Sequence, residues 1–344
     1  MLTCISYSAM KRRLLIIIIT LCCGICICRA QERFDWSVLG VAEGQFRPDN
    51  GRFNMFSLLS YSIDVQLWKG ADFRFDGMTF AKQHKLNYIS DDISTFSQLD
   101  AEPSPFRLSI LGLGQQIGPV WLFAGIRNTD PDFFDDEALG FFLGSAHGLP
   151  PTLSANYDFA NYSTSTLMAM AQWQISDMFM LKTAFYKGES VEKPSEQFRF
   201  KGGVRNLTSL SLGTDKRKST IGMTVGPDFY GGHGMAMYAT HTQKIREKTD
   251  IFFEASHYFG RKGEPCRNYL GTGAIYTFNE HNLLGGCASL ADFSQDHDDS
   301  FHLEFNYAHI FGPVMLQPVL SLFWRYGEWQ TVAFLRLTIE LSSK

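Results

Sequence analysis

Beyond residue 30 the 344-residue chain keeps only two of its seven cysteines, Cys266 and Cys287. That excludes a disulfide-dense scaffold, and without a Cys-x-x-Cys pair or His-x-x-x-His spacing nothing points to a structural or catalytic metal. No excess of basic charge is present either. With 31 Lys+Arg against 35 Asp+Glu, the electrostatic footprint of a nucleic-acid binder is missing. Past residue 30 no apolar stretch approaches the roughly 18 to 20 residues of a spanning helix, and long helical periodicities are absent. A helical membrane protein is therefore excluded. What is abundant is aromatic and glycine content, with 30 Phe and 30 Gly, a composition that leans to β structure.

The first thirty residues differ from the rest. Lys11-Arg12-Arg13 leads into the apolar run Leu14 to Leu21, and a Cys-rich stretch ends at Cys28-Arg29-Ala30. A charged start, a short apolar run and small residues at its end read as a secretory signal peptide over 1–30, cleaved before Gln31, with a retained anchor as the alternative. Without the four basic residues of that segment, 27 basic residues face 35 acidic ones, a net charge of −8. In an oxidising compartment Cys266 and Cys287 are open either to pair or to remain free, because spacing alone does not set the approach of their Cβ atoms.

Residues 31–344 read as a single domain. Its main signal is alternation with period two, which sends successive side chains to opposite faces of a strand. In residues 60–67, Tyr61, Ile63, Val65 and Leu67 oppose Ser60, Ser62, Asp64 and Gln66. Three further segments do the same: Phe179 to Tyr186, His302 to Tyr307, and Ala333 to Leu341. Candidate strands are 36–46, 53–68, 71–81, 105–115, 118–127, 165–174, 178–187 and 203–213 in the first half. The second half offers 219–226, 234–242, 249–259, 269–279, 282–291, 300–309, 313–325 and 329–341.

Sixteen is an even number, and the connections alternate in length. Tight turn signals at 68–70, 116–119, 176–177, 214–217, 279–282 and 311–313 separate longer stretches near 82–103, 128–164, 188–202, 260–268 and 292–299. Short turns at one end and long loops at the other are the pattern of an outer-membrane barrel. The expectation is an all-β, transmembrane antiparallel β-barrel of about 16 strands, with a soluble sandwich as the alternative. Sixteen strands leave an aqueous interior, so a pore follows if the lumen stays open.

The longest connection, 128–164, carries Phe133-Phe134, Phe141-Phe142 and several acids. It is too apolar to be freely solvated, and folding into the barrel mouth would narrow the channel; packing against external neighbours is the other reading. Candidate constriction residues are Arg74, Arg107, Arg127 and Lys182 on strands, with Asp132, Asp135 and Asp136 on that loop. Opposite charges across a narrow pore set a transverse field that orients dipolar solutes.

Several short motifs, in order, resemble the carbohydrate-selective porin family of bacterial outer membranes. They are Leu67-Trp68-Lys69-Gly70-Ala71, Gly125-Ile126-Arg127-Asn128 with Asp132-Phe133, and Phe142-Leu143-Gly144-Ser145 with Gly148-Leu149-Pro150-Pro151 and Ala155-Asn156-Tyr157. Leu303-Glu304-Phe305-Asn306-Tyr307 and Leu316-Gln317-Pro318 close the set. The resemblance implies passive passage of saccharides through a barrel embedded in outer-membrane lipid, without cofactor or catalysis. Self-association into a homo-oligomer stays open.

Other chemistry is thin. Asp296-His297-Asp298-Asp299 offers oxygen donors but lacks the Gly and distal Glu of a calcium loop. Gly144-Ser145-Ala146-His147-Gly148 is not a nucleophile elbow. Two other classes remain in view: a barrel hydrolase, which needs a Ser and a His together on the outer wall, and a plugged barrel serving as adhesin or scaffold.

Overall fold

The computed structural model describes residues 33–343 except 85–87, 90–95, 191–193, 215, 230, 261–264 and 294–298. The proposed export segment 1–30 and Asp296-His297-Asp298 lie outside the described residues. Sixteen strands form one closed antiparallel barrel. They are β1 Phe34–Arg47, β2 Arg52–Trp68, β3 Ala71–Lys82, β4 Ser104–Ile117, β5 Val120–Arg127, β6 Thr166–Gln174, β7 Phe179–Lys187 and β8 Val204–Thr214. The second half comprises β9 Arg217–Pro227, β10 His233–Arg246, β11 Thr249–Tyr258, β12 Cys266–Asn279, β13 Asn282–Phe293, β14 Ser300–Phe311, β15 Val314–Arg325 and β16 Glu328–Ser342. Expected strand ends fall within about four residues of these, the largest difference being at the end of β10.

Each strand pairs with its neighbours in sequence, and β16 returns to β1 in the register Ser37↔Ser342 to Phe46↔Ala333. Closure leaves no unpaired sheet edge, the condition for a sheet to sit in hydrocarbon. Inside this seam Arg336 donates to Glu43 directly across the register, through Nε at 2.7 Å. Seven short turns lie at one end, and Gly312 at φ +60 and Gly70 at φ +76 supply the left-handed conformation that two of them need. The opposite end carries the longer loops, although residues 48–51 and 326–327 are short there too.

The alternation sorts the two faces. Leu113, Phe185, Ile221, Phe253, Leu270, Phe305 and Leu335 stand exposed on the outside, with Trp36, Trp68, Trp173, Phe179 and Phe278 near the short-turn rim. An apolar outer band edged by aromatics is the exterior of a transmembrane barrel. Facing inward are buried Glu43, Gln45, Asn54, Glu254, His302, Glu304 and Asn306. The inner wall is not uniformly polar, however. Met168, Met170, Tyr186, Leu207 and Tyr238 also point inward and form a packed cluster with loop residues. The expected water-lined interior is thus partly a hydrophobic core, because the loop supplies apolar partners that the alternation alone does not reveal.

Both thiols are free and buried. Cys266 pairs in register with Phe293, whereas Cys287 sits opposite Gly273, so about six residues of extended strand, roughly 20 Å, separate the two positions. A disulfide is out of reach of that geometry.

Candidate functional site

Among the described residues, the connections after β3 and after β5 fold into the barrel. The one between β5 and β6 forms three short helical turns, α1 Asp130–Phe133, α2 Glu137–Gly140 and α3 Pro151–Ser154. Pro131 in the first turn of α1 and Pro151 in that of α3 occupy positions where no backbone donor is needed. Asp136 caps α2 by accepting from the Ala138 amide at 3.1 Å. The connection between β3 and β4 meets this loop inside the barrel, where the Gln98 amide donates to the Leu143 carbonyl at 2.9 Å.

The loop is fixed to the far wall by polar groups. Glu304 on β14, fully buried, accepts from the Leu143 amide at 2.6 Å and the Gly144 amide at 2.8 Å. Gly144 is required there, since a Cβ would fall 2.6 Å from the His302 ring and 2.9 Å from the Glu304 carboxylate. Asn306 and Gln317 both donate to the Phe141 carbonyl at 2.8 Å. His147 bonds Glu254 on β11 through Nδ1 at 2.8 Å and faces the Cys287 thiol through Nε2 at 3.1 Å. Burial by itself lowers the basicity of His147, but the Glu254 bond and charge, joined by Glu304, outweigh it and raise its pKa. Burial also raises the Asp130 carboxyl to about 6, against the amide of Tyr162, which donates to it at 2.6 Å.

The seven candidate charges fall into distinct places. Arg127 makes a two-pronged ion pair with Asp132, its guanidinium 4.9 Å from the Phe123 ring centre, and Lys182 donates to the Asp132 carbonyl. These three come together at the root of the loop. Asp136 accepts from Thr242, and Lys218 donates to the Asp135 carbonyl at 3.0 Å. Arg74 is apart, bonded to Asp76 at 3.0 Å and near Asp64 at 3.6 Å. Arg107 is buried at the opposite end, holding Glu102 and Ser163 of the two inserted loops beneath a cation–π contact with Phe80. Most of these groups anchor the loop, while Asp135 and Asp136 border open space and Arg74 is half-buried between its two aspartates.

Polar compartments lie among the described residues. One of about 290 Å³ lies between the inserted loops, lined by Gln98, Asp100, Asp130, Ser145, His147 and Tyr162. A second of about 410 Å³ has Asp135, Asp136 and Glu137 on the loop facing Lys216, Lys218 and Lys244 on the barrel. Helix α2 stands between these two, Gly140 bordering the first and Ala138 the second. A third, about 340 Å³, is rich in acids, with Asp35, Asp64 and Asp72 near Arg33. Across the short-turn end, acids on β1–β3 therefore oppose lysines on β9 and β10.

The residues that do the clamping, Glu254, Glu304, Asn306 and Gln317, were missed as site residues. Glu304 and Asn306 stood in the sequence as members of an alternating polar face and, with Gln317, within the motifs of the family resemblance, neither of which assigns them a partner. Among the described residues no cluster suited to a metal ion occurs. A Ser–His pair does exist on the outer wall, with Ser219 Oγ 2.7 Å from His241 Nδ1. Among the described residues His241 Nε2 meets Gln243, at 3.4 Å, with no carboxylate bonded to the ring, and β9 and β10 spend their amides in the sheet ladder.

The fold is that of the porins. The high pH structure of Pseudomonas putida OprB superposes with a TM-score of 0.76, covering 90% of this chain and 94% of that one at 12% identity. Its low pH structure gives 0.60 over 90% and 93% at 11% identity, and a triple mutant of Rhodopseudomonas blastica porin gives 0.56 over 90% and 100% at 11%. No family model matches the chain, and no curated protein matches it.

Proposed function

We propose that the protein is an outer-membrane channel that lets small polar solutes, saccharides among them, diffuse through the barrel after export directed by residues 1–30. The observation that carries this reading is the loop clamped inside a closed barrel, leaving hydrophilic compartments on both sides of α2. Asp135 and Asp136 on the loop, facing Lys218 of β9 and Lys244 of β10 across one compartment, would orient a dipolar solute in transit. The motif resemblance to carbohydrate-selective porins and the structural likeness to OprB support sugars as cargo. Planar-bilayer recording of purified protein tests it: discrete conductance steps reduced by added oligosaccharide are expected. Steps that no sugar alters would remove the saccharide part, and a folded barrel with no conductance would remove the channel.

One observation favours a second reading, a plugged barrel acting as scaffold. Phe133, Leu149, Leu153 and Tyr157 of the loop pack on inward-facing Met168, Met170, Tyr186 and Tyr238, so part of the interior is dry. The same recording separates the two readings.

A further inference from the structure

Outside the pore, the barrel wall carries an apolar groove of about 690 Å³ across β9 to β14. Ile221, Ala239, Ala255, Leu270, Leu290 and Phe301 are register neighbours in one row along it. All six face outward, because the residues beside them reach the interior: Tyr238 meets Phe134, Glu254 binds His147, and His302 stacks on Phe323. Ala239, Ala255 and Ala288 make a low floor between Ile221, Phe253 and Leu270, which are 59%, 52% and 58% exposed. The row climbs obliquely, since Ile221 lies near the short-turn start of β9 and Phe301 near the long-loop start of β14.

At the short-turn end the groove stops being apolar. Ser219 and His241 face outward there and bond each other at 2.7 Å, in a band where polar groups without partners are costly. Arg217, exposed at the rim two residues before Ser219, shares its alternation on β9 and also borders the inner compartment beside Lys218. A concavity in a hydrocarbon-facing wall gains dispersion energy only when filled. A chain-shaped trough with a cationic, hydrogen-bonding end matches an anionic lipid better than the broad flat patch that a second barrel would need.

We propose that this groove binds one acyl chain of an anionic glycerophospholipid from the short-turn leaflet, its phosphate held by Arg217 and the Ser219–His241 pair. Native mass spectrometry of the intact barrel in detergent, titrated with palmitoyl-oleoyl phosphatidylglycerol, tests it. One retained lipid is expected, weakened about tenfold by Ala255→Phe, which fills the trough from the lipid side. Arg217→Gln with His241→Gln should leave phosphatidylcholine binding alone and abolish the preference for phosphatidylglycerol. Circular dichroism, which reads the barrel, should not change in either variant, and channel conductance should not change in Ala255→Phe. Equal lipid retention by wild type and Ala255→Phe, no retained lipid, or a second barrel copy lost in Ala255→Phe would each overturn the assignment.

Discussion

Replacing Glu304 probes whether the inserted loop sets the pore. In the wild type its carboxylate takes two amide hydrogen bonds, from Leu143 and Gly144, in a place without solvent access. Glu304→Ala strands both amides, and an unsatisfied buried donor costs about 1–3 kcal/mol, so roughly 2–6 kcal/mol of anchoring disappears. The Phe141 carbonyl keeps its bonds from Asn306 and Gln317, which limits the release to the segment around 142–147. Glu304→Gln retains one acceptor oxygen and should lose about half as much. A shift of about 1.4 kcal/mol multiplies the open population tenfold, so Glu304→Gln should show brief excursions above the wild-type conductance and Glu304→Ala a larger, noisier pore. Hydrogen exchange at residues 142–147 should accelerate in the same order. Wild-type conductance, noise and exchange in both variants would refute a clamp at this carboxylate.

The ion pair at the loop root makes a second test. Arg127→Gln or Asp132→Asn leaves the other charge buried and should cost about 3–5 kcal/mol, whereas the double variant should recover part of it in thermal unfolding. For pH, the folded Asp130 carboxyl titrates near 6 instead of 3.8, so its stabilisation is complete below about 3.8 and lost as pH rises through about 6. His147, also raised, acts in the same sense, its contribution fading as pH climbs past its folded pKa. Loop protection, taken relative to the intrinsic exchange rate, should therefore fall as pH rises from about 3.8 to about 6, and Asp130→Asn should flatten that slope. Peptide mapping after maleimide treatment should find Cys266 and Cys287 unmodified in the native barrel and both modified once unfolded, with or without reductant.

The strands were legible because each carries its own instruction. A segment such as Tyr61 to Leu67 alternates regardless of its partner, and a turn such as Gly312-Pro313 punctuates locally, so strand number and the inward face follow from neighbouring residues. Closure and topology follow from the even count and short hairpins. The interior is another matter. Nothing near Glu304 in the chain announces that amides some 160 positions earlier will settle on it, nor does anything near Cys287 announce His147. Arg107 and Arg127 look like pore charges from alternation, yet one ends beneath inserted loops and the other in an ion pair at a loop root. Period two assigns a side chain to a face, because strand geometry is local; its companion on that face depends on how a long loop falls back through the barrel, which only the assembled tertiary structure decides.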